Sequence, residues 1–155
     1  MAFYSFDTSS LLNGRRDLVP PSAFPTLWAN IEAMVDAGDI RSVDLVRDEL
    51  SARDDEVHQW ARDQTNLFVP LTRDVQLAVR DVLAEHQRMI GIGSGRSGAD
   101  PFVIALALAH NGVVVTEETL SRSLTKPKIP NVCDAMGVRR LTLLQFVLEQ
   151  GWVFR

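Results

Sequence analysis

Apolar and polar positions along this chain follow two different periods. Residues 2–6, AFYSF, form a short aromatic and small-residue run that reads as a strand. Residues 40–43 and 138–141 are further short strand candidates. VVVT, residues 113–116, is a continuous β-branched run, the pattern of a central parallel strand buried on both faces. Between these runs the period lengthens to that of a helix. Leu27, Ile31, Met34 and Val35 share one face, with Ser22 expected as N-cap, Pro25 in the first turn and Gly38 as the stop. Leu45, Val46 and Leu50 begin a helix that carries Asp48 and Glu49. Residues 54–68 are polar and read as helical. Residues 72–90 read as one long amphipathic helix built on Val75, Leu77, Val79, Val82, Leu83 and Met89. ADPFVIALALAHNG is a mostly apolar helix stopped by Asn111-Gly112, and residues 142–150 make a last helix between a Thr142 cap and a Gly151 stop. GIGSGRSG, residues 91–98, reads as a loop, and KPKIPNV, residues 126–132, as a proline-punctuated connection.

Short strands separated by helices predict a three-layer α/β/α sandwich around a mainly parallel sheet. No interior linker is long enough to split the chain, so residues 1–155 are expected to form one domain. The hydrophobic fraction of 46 % supplies one core. Cys133 is the single cysteine, which excludes an intrachain disulfide and fits a cytoplasmic protein. No basic stretch followed by an apolar run opens the chain, and no apolar run approaches the ~20 residues of a membrane helix. Neither a signal peptide nor a membrane association is therefore expected.

The formal net charge is -4. This does not mark a nucleic-acid binder, yet local basic groups remain available for phosphate: Arg15, Arg16, Arg96, Arg122, Lys126, Lys128, Arg139 and Arg140, mostly in segments that read as loops. The acids are more informative. In a parallel α/β sheet, ligands bind outside the carboxyl ends of the strands. AFYSF is followed at once by Asp7, and VVVT by Glu117 and Glu118. Glu49 sits in an early helix, and Asp100 opens a helix that is otherwise apolar. Each acid has an ordinary explanation on its own: Asp7, Asp100, Glu117 and Glu118 as carboxylates at a helix start, stabilised by the dipole, and Glu49 as an exposed helix residue. Their joint occurrence is what suggests a site. Carboxylates that face one another repel, and a hard divalent cation relieves that repulsion. An all-oxygen set without a cysteine or histidine motif points to Mg²⁺ or Mn²⁺ rather than zinc.

Asp7 after a first strand, Glu49 in an early helix, Asp100 opening ADPFVIALAL, and VVTEE after a buried strand resemble, in that order, a PIN-domain ribonuclease. The resemblance runs from AFYSFDTSSLL to GVRRLTLLQFVLEQ and is nearest to the VapC-like toxins of bacterial toxin–antitoxin pairs. It implies a metal-dependent endoribonuclease with Asp7, Glu49, Asp100 and Glu118 as the acidic metal ligands. Glu117 is the neighbouring alternative for the fourth ligand. Glutamate at that place departs from the aspartate or asparagine of many relatives. The resemblance also implies Ser9, Thr116 and Arg96 as residues that touch substrate, ligand or water. It implies an RNA substrate, a cognate antitoxin partner and a homodimer, with the 72–90 helix or the Trp28 helix as its surface.

A second reading is a PIN-like binding module without catalysis, in which the acids are only helix caps. A phosphate loop at GIGSGRSG lacks the Gly-Lys-Ser/Thr ending. A receiver-like domain would need further acids beside Asp7 and a lysine after the last strand, where GVRRLT has none. His58, His86 and His110 are scattered and form no triad with a nucleophile. Cys133 reads as a packing residue, and Trp28, Trp60 and Trp152 as packing or interface residues rather than base-stacking platforms.

Overall fold

A computed structural model describes residues 2–86, 98–123, 125 and 127–155. Five strands, β1 (Tyr4–Phe6), β2 (Ile40–Val43), β3 (Phe68–Val69), β4 (Val113–Val115) and β5 (Arg139–Leu141), form one sheet in the order β3-β2-β1-β4-β5. Every pairing is parallel. β1 and β4 are buried along their whole length, as the unbroken apolar run of β4 requires.

Helices α1 (Thr8–Asn13), α2 (Pro25–Ala37), α3 (Asp44–Ser51), α4 (Asp55–Asp63), α5 (Arg73–Glu85), α6 (Asp100–Ala109), α7 (Ile129–Met136) and α8 (Leu143–Gln150) supply the outer layers. The connections β1 to β2 to β3 step one way across the sheet, and β3 to β4 to β5 step the other way. With right-handed crossovers, α1 to α4 cover one face and α5 to α7 the other. The α8 helix returns to the α1 face. Phe146 meets Tyr4 and Phe6 edge-on at 4.8 and 5.2 Å, and Leu143 lies against Gly14. The three-layer α/β/α sandwich expected from the periodicity is the architecture found.

The apolar character of α6 follows from its position. It lies between the sheet, α5 and α7, with Val103 to Ala107 fully buried. The Oγ of Ser5 donates to the carbonyl of Val103 at 2.8 Å, which pins this helix to the central strand. Gly112 lies where β4 begins against Phe3. A Cβ there would stand 2.6 Å from the Phe3 carbonyl oxygen, so the close approach requires glycine.

Several local expectations need correction. Ser22 does not cap α2; Phe24 holds the N-cap position without a side-chain bond, and Pro25 alone defines the start. Residues 54–68 are not one helix, because the chain leaves α4 at Gln64 and forms the edge strand β3. Residues 129–132 of KPKIPNV are already helical, since Pro130 suits a first turn. Gly14 to Leu18 form a π-helical turn. Arg15 and Arg16 belong to that turn, and Arg139 and Arg140 to β5, so none of these four is in a loop. The Arg15 guanidinium lies over the rings of Trp28 and Trp60 at 4.8 and 4.3 Å, and its desolvation there lowers its pKa to about 10. Trp28 is therefore a core residue, on the buried face of α2. The 72–90 helix is seen as Arg73–Glu85 with Thr72 as its cap; positions 87–90, Arg96 and the rest of 91–97 lie outside the described residues.

Candidate functional site

The strand order reverses between β1 and β4, and in an open parallel sheet the crevice for a ligand lies at the carboxyl ends of such a pair. The Asp7 amide donates to the Val115 carbonyl at 3.2 Å, so the β1–β4 ladder runs up to this residue. Asp7 then caps α1. Its Oδ1 accepts the Ser10 amide at 2.8 Å. Capping explains why an aspartate stands here, but not why it is buried to 2 % exposure. Caps ordinarily sit in water.

Two hydroxyls tie this carboxylate to the segment after β4. The Thr116 hydroxyl donates to Asp7 Oδ2 at 2.5 Å and accepts the Glu118 amide at 3.0 Å. The Ser9 hydroxyl donates to the Asp7 carboxylate at 2.8–2.9 Å and accepts the Glu117 amide at 2.9 Å. Each hydroxyl thus relays a backbone amide of the Glu117-Glu118 pair onto Asp7. Burial nevertheless pushes the Asp7 carboxyl up to about 6. Hydrogen bonds from Thr116, Ser10 and Ser9 pull it down, and the nearby charge of Glu118 pushes it up again.

Topology brings the other acids to the same edge. The α3 helix starts directly after β2, and Glu49 lies in its last turns. There its Oε1 accepts the Thr8 hydroxyl at 2.5 Å, one residue from Asp7. The α6 helix leads into β4 and runs against the strands, so its N-terminus, with the half-buried Asp100, opens at the carboxyl edge. Ala99, not Asp100, is the N-cap residue of that helix, and it makes no side-chain cap bond.

Glu117 and Glu118 diverge. Glu117 Oε1 accepts the Leu143 amide at 2.7 Å and caps α8. Glu118 Oε1 accepts the Ile129 amide at 3.2 Å and interacts electrostatically with Asp7 and Cys133. Of the two, Glu118 is the one whose charge reaches Asp7. The Cys133 thiol lies beneath this group, buried, with its pKa pushed up to about 12. It is a packing residue.

The donors fit a hard divalent cation in kind, because all are carboxylate oxygens on one edge. Their hydrogen bonds hold them apart: among the described residues, no group of three or more His, Cys, Asp or Glu gathers closely enough to hold a metal ion as it stands. An ion at this edge would compete with the Thr8 hydroxyl for Glu49 and with the Ile129 amide for Glu118.

Two contributors were not singled out from the sequence. Thr8 looked like one hydroxyl in the run Thr8-Ser9-Ser10, yet it holds Glu49. Asn131 sits in what read as a plain connection, and its amide organises the loop that follows Glu118. No periodicity marks either residue.

No curated protein matches the chain. Among solved structures it is similar to VapBC2 from Rickettsia felis, crystallised bound to a DNA fragment from their promoter. The match has 14 % identity and a TM-score of 0.57, and covers 90 % of this chain and 98 % of that one. At that identity the likeness speaks for the fold, which is the VapC-like PIN fold. A family model described as a domain of unknown function, DUF4411, matches residues 4–154. The match spans nearly all of the sequence, so the chain belongs to the DUF4411 family, on a PIN-like α/β/α fold.

Proposed function

We propose that this protein is a metal-dependent endoribonuclease and the toxin of a bacterial toxin–antitoxin pair. The observation that carries the reading is the burial of Asp7 beside Glu118 at the strand-order reversal. A buried, raised carboxylate in a crevice opposes stability and is a mark of functional sites. Asp7, Glu49, Asp100 and Glu118 would hold Mg²⁺ or Mn²⁺. When bound, such an ion stabilises charge on a phosphodiester and lowers the pKa of a water for attack. The chain's own part is positional. Ser9 and Thr116 fix the Asp7 oxygens, Thr8 holds Glu49 in reserve, and Glu117 secures α8 behind the site. Localisation in the cytoplasm fits an RNA substrate.

The toxin–antitoxin setting is supported by the structural neighbour, a VapBC2 assembly with promoter DNA. An antitoxin protein would be the partner, and a homodimer the form of the toxin. On α5, Leu77 is 44 % exposed and belongs to a helix that could serve such a contact.

The second reading, a PIN-like binding module, is favoured by one observation: Asp7, Glu117 and Glu118 each accept a helix-start amide, which is a cap's work. One experiment separates the two. A labelled tRNA pool is incubated with the unsubstituted protein and with Asp100→Asn, with Mn²⁺, Mg²⁺ or a chelator. Discrete, metal-dependent products from the unsubstituted protein alone support the nuclease. Equal cleavage by Asp100→Asn refutes the metal site. Metal titration without any heat or thermal shift supports the binding module.

A further inference from the structure

Residues 119–128 leave Glu118 and return to Ile129, whose amide is bonded to Glu118. The loop therefore begins and ends at the same acid of the candidate centre. Its ten residues include Arg122, Lys126 and Lys128 and no Asp or Glu. In a chain of net charge -4, that is a local reversal of sign beside the acidic group.

The loop is braced. Asn131 Oδ1 accepts the amides of Ser121 and Lys128 at 2.9 and 3.1 Å, and its Nδ2 donates to the Ser121 carbonyl at 3.1 Å. One side-chain amide thus staples both limbs. Further out, Ser121 Oγ accepts the Ser123 amide and Ser123 Oγ accepts the Thr125 amide, at 3.1 and 3.3 Å. Bonds of this kind at the described residues lower the entropy cost of gripping a ligand there.

The cations are also uncommitted. Arg139 pairs with Glu149 and Arg140 with Asp134, which explains those two as structural. Arg122 and Lys128 are exposed and have no ion-pair partner among the described residues. Lys128 directly precedes the residue bonded to Glu118, so its backbone lies one residue from the acidic edge. A polyanion crossing that crevice is repelled by the carboxylates, and flanking cations offset the repulsion.

We infer that Arg122 and Lys128, on the two limbs joined by Asn131, are the grip on the RNA backbone, contacting phosphates, with Asn131 positioning them. This rests on the ribonuclease reading above. Phosphate contacts set register without reading sequence, so the grip contributes affinity and salt dependence, not base preference.

The test is fluorescence anisotropy of a labelled single-stranded RNA, with chelator to prevent cleavage, over a salt series. For single strands each phosphate contact contributes about 0.7 to the slope of log K against log salt. Arg122→Ala/Lys128→Ala should therefore flatten the slope by about 1.4 and weaken binding about 25-fold at ~0.1 M salt. Asn131→Ala, which keeps every cation, should also flatten the slope, an effect that a merely structural role would not produce. Both variants should keep the unsubstituted thermal midpoint and Mn²⁺ titration curve to within a few degrees and about twofold. RNA binding by the unsubstituted protein with unchanged slopes in the double variant overturns the loop assignment alone. An unchanged slope in Asn131→Ala removes the positioning role. Absence of RNA binding by the unsubstituted protein overturns the loop assignment and the ribonuclease reading together.

Discussion

Replacing Asp7 with asparagine should stabilise the protein at neutral and alkaline pH while abolishing the proposed RNA cleavage. A rise of the carboxyl pKa from 3.8 to about 6 corresponds to about 3 kcal/mol between the ionised and neutral forms. The sign follows from linkage. The folded state holds the Asp7 proton more tightly than the unfolded chain does. The favourable contribution is complete below pH 3.8, declines as pH rises through about 6, and is absent above. Asparagine has the same shape and never ionises. Its Oδ1 can keep the Ser10 amide, and its Nδ2 can donate to Thr116 or Ser9, whose oxygens accept as well as donate. Turning those hydroxyls away from a charged acceptor takes back about 1 kcal/mol. The net gain is about 2 kcal/mol at pH 8, or about 4–8 °C in Tm for a chain of this size.

Thermal denaturation at pH 8 and pH 4 measures it. The expected result is a higher midpoint for Asp7→Asn at pH 8 and near-equality at pH 4. A variant that is no more stable than the parent at pH 8, or a difference independent of pH, refutes the reasoning. Saturating Mn²⁺ adds a second arm. An ion at 100 times its Kd stabilises by about 2.7 kcal/mol. It should raise the parent's midpoint and leave that of Asp7→Asn largely where it was.

Three further outcomes follow from the same geometry. Asp100→Asn should lose RNA cleavage and keep its circular dichroism spectrum and a Tm within a few degrees, because asparagine has the same shape and removes only the charge of one half-buried side chain in the first turn of α6. Glu117→Ala should destabilise by about 1 kcal/mol through the orphaned Leu143 amide with little change in Mn²⁺ affinity, whereas Glu118→Gln should weaken Mn²⁺ binding, as read by calorimetry. Gly112→Ala should cost about 1–3 kcal/mol by urea denaturation, since its Cβ would press on a backbone carbonyl that already bonds the Val113 amide.

The sequence exposed the architecture wherever its physics was local. The β-branched run of β4, the helical spacing of Leu27 to Val35 and the apolar α6 are all dictated by burial that leaves a periodic trace. What escaped notice leaves none. β3 is only Phe68-Val69, too short for alternation to show, and it becomes a strand because β2 offers it an edge. The start of α7 lies inside a proline-rich stretch that also suits a turn. Ser22 had the chemistry of a cap, but the chain entered α2 through Phe24 and Pro25. At the site, the resemblance put Glu118 ahead of Glu117, but nothing periodic in the sequence separates the two. Adjacent residues after a strand point to different neighbours, and only the positions of α7 and α8 decide which one faces Asp7.

The same topology explains why Asp7, Glu117 and Glu118 looked ordinary alone. In a parallel sheet every helix that follows a strand begins at the carboxyl edge, and a helix that precedes a strand, as α6 precedes β4, begins there too. A carboxylate that caps such a start is therefore carried to the ligand crevice by the act of capping. Capping and charge concentration are consequences of one placement rather than competing explanations. What separates a site from a set of caps is the desolvation that a cap does not need. Asp7 is the residue that shows it: buried to 2 % exposure, held by two hydroxyls, and raised by its neighbour's charge. If its replacement by asparagine leaves stability at pH 8 unchanged, the carboxylate is a cap and nothing more. If stability rises and metal-induced stabilisation disappears, the fold is sustaining an unfavourable charge at the place where a cation would offset it.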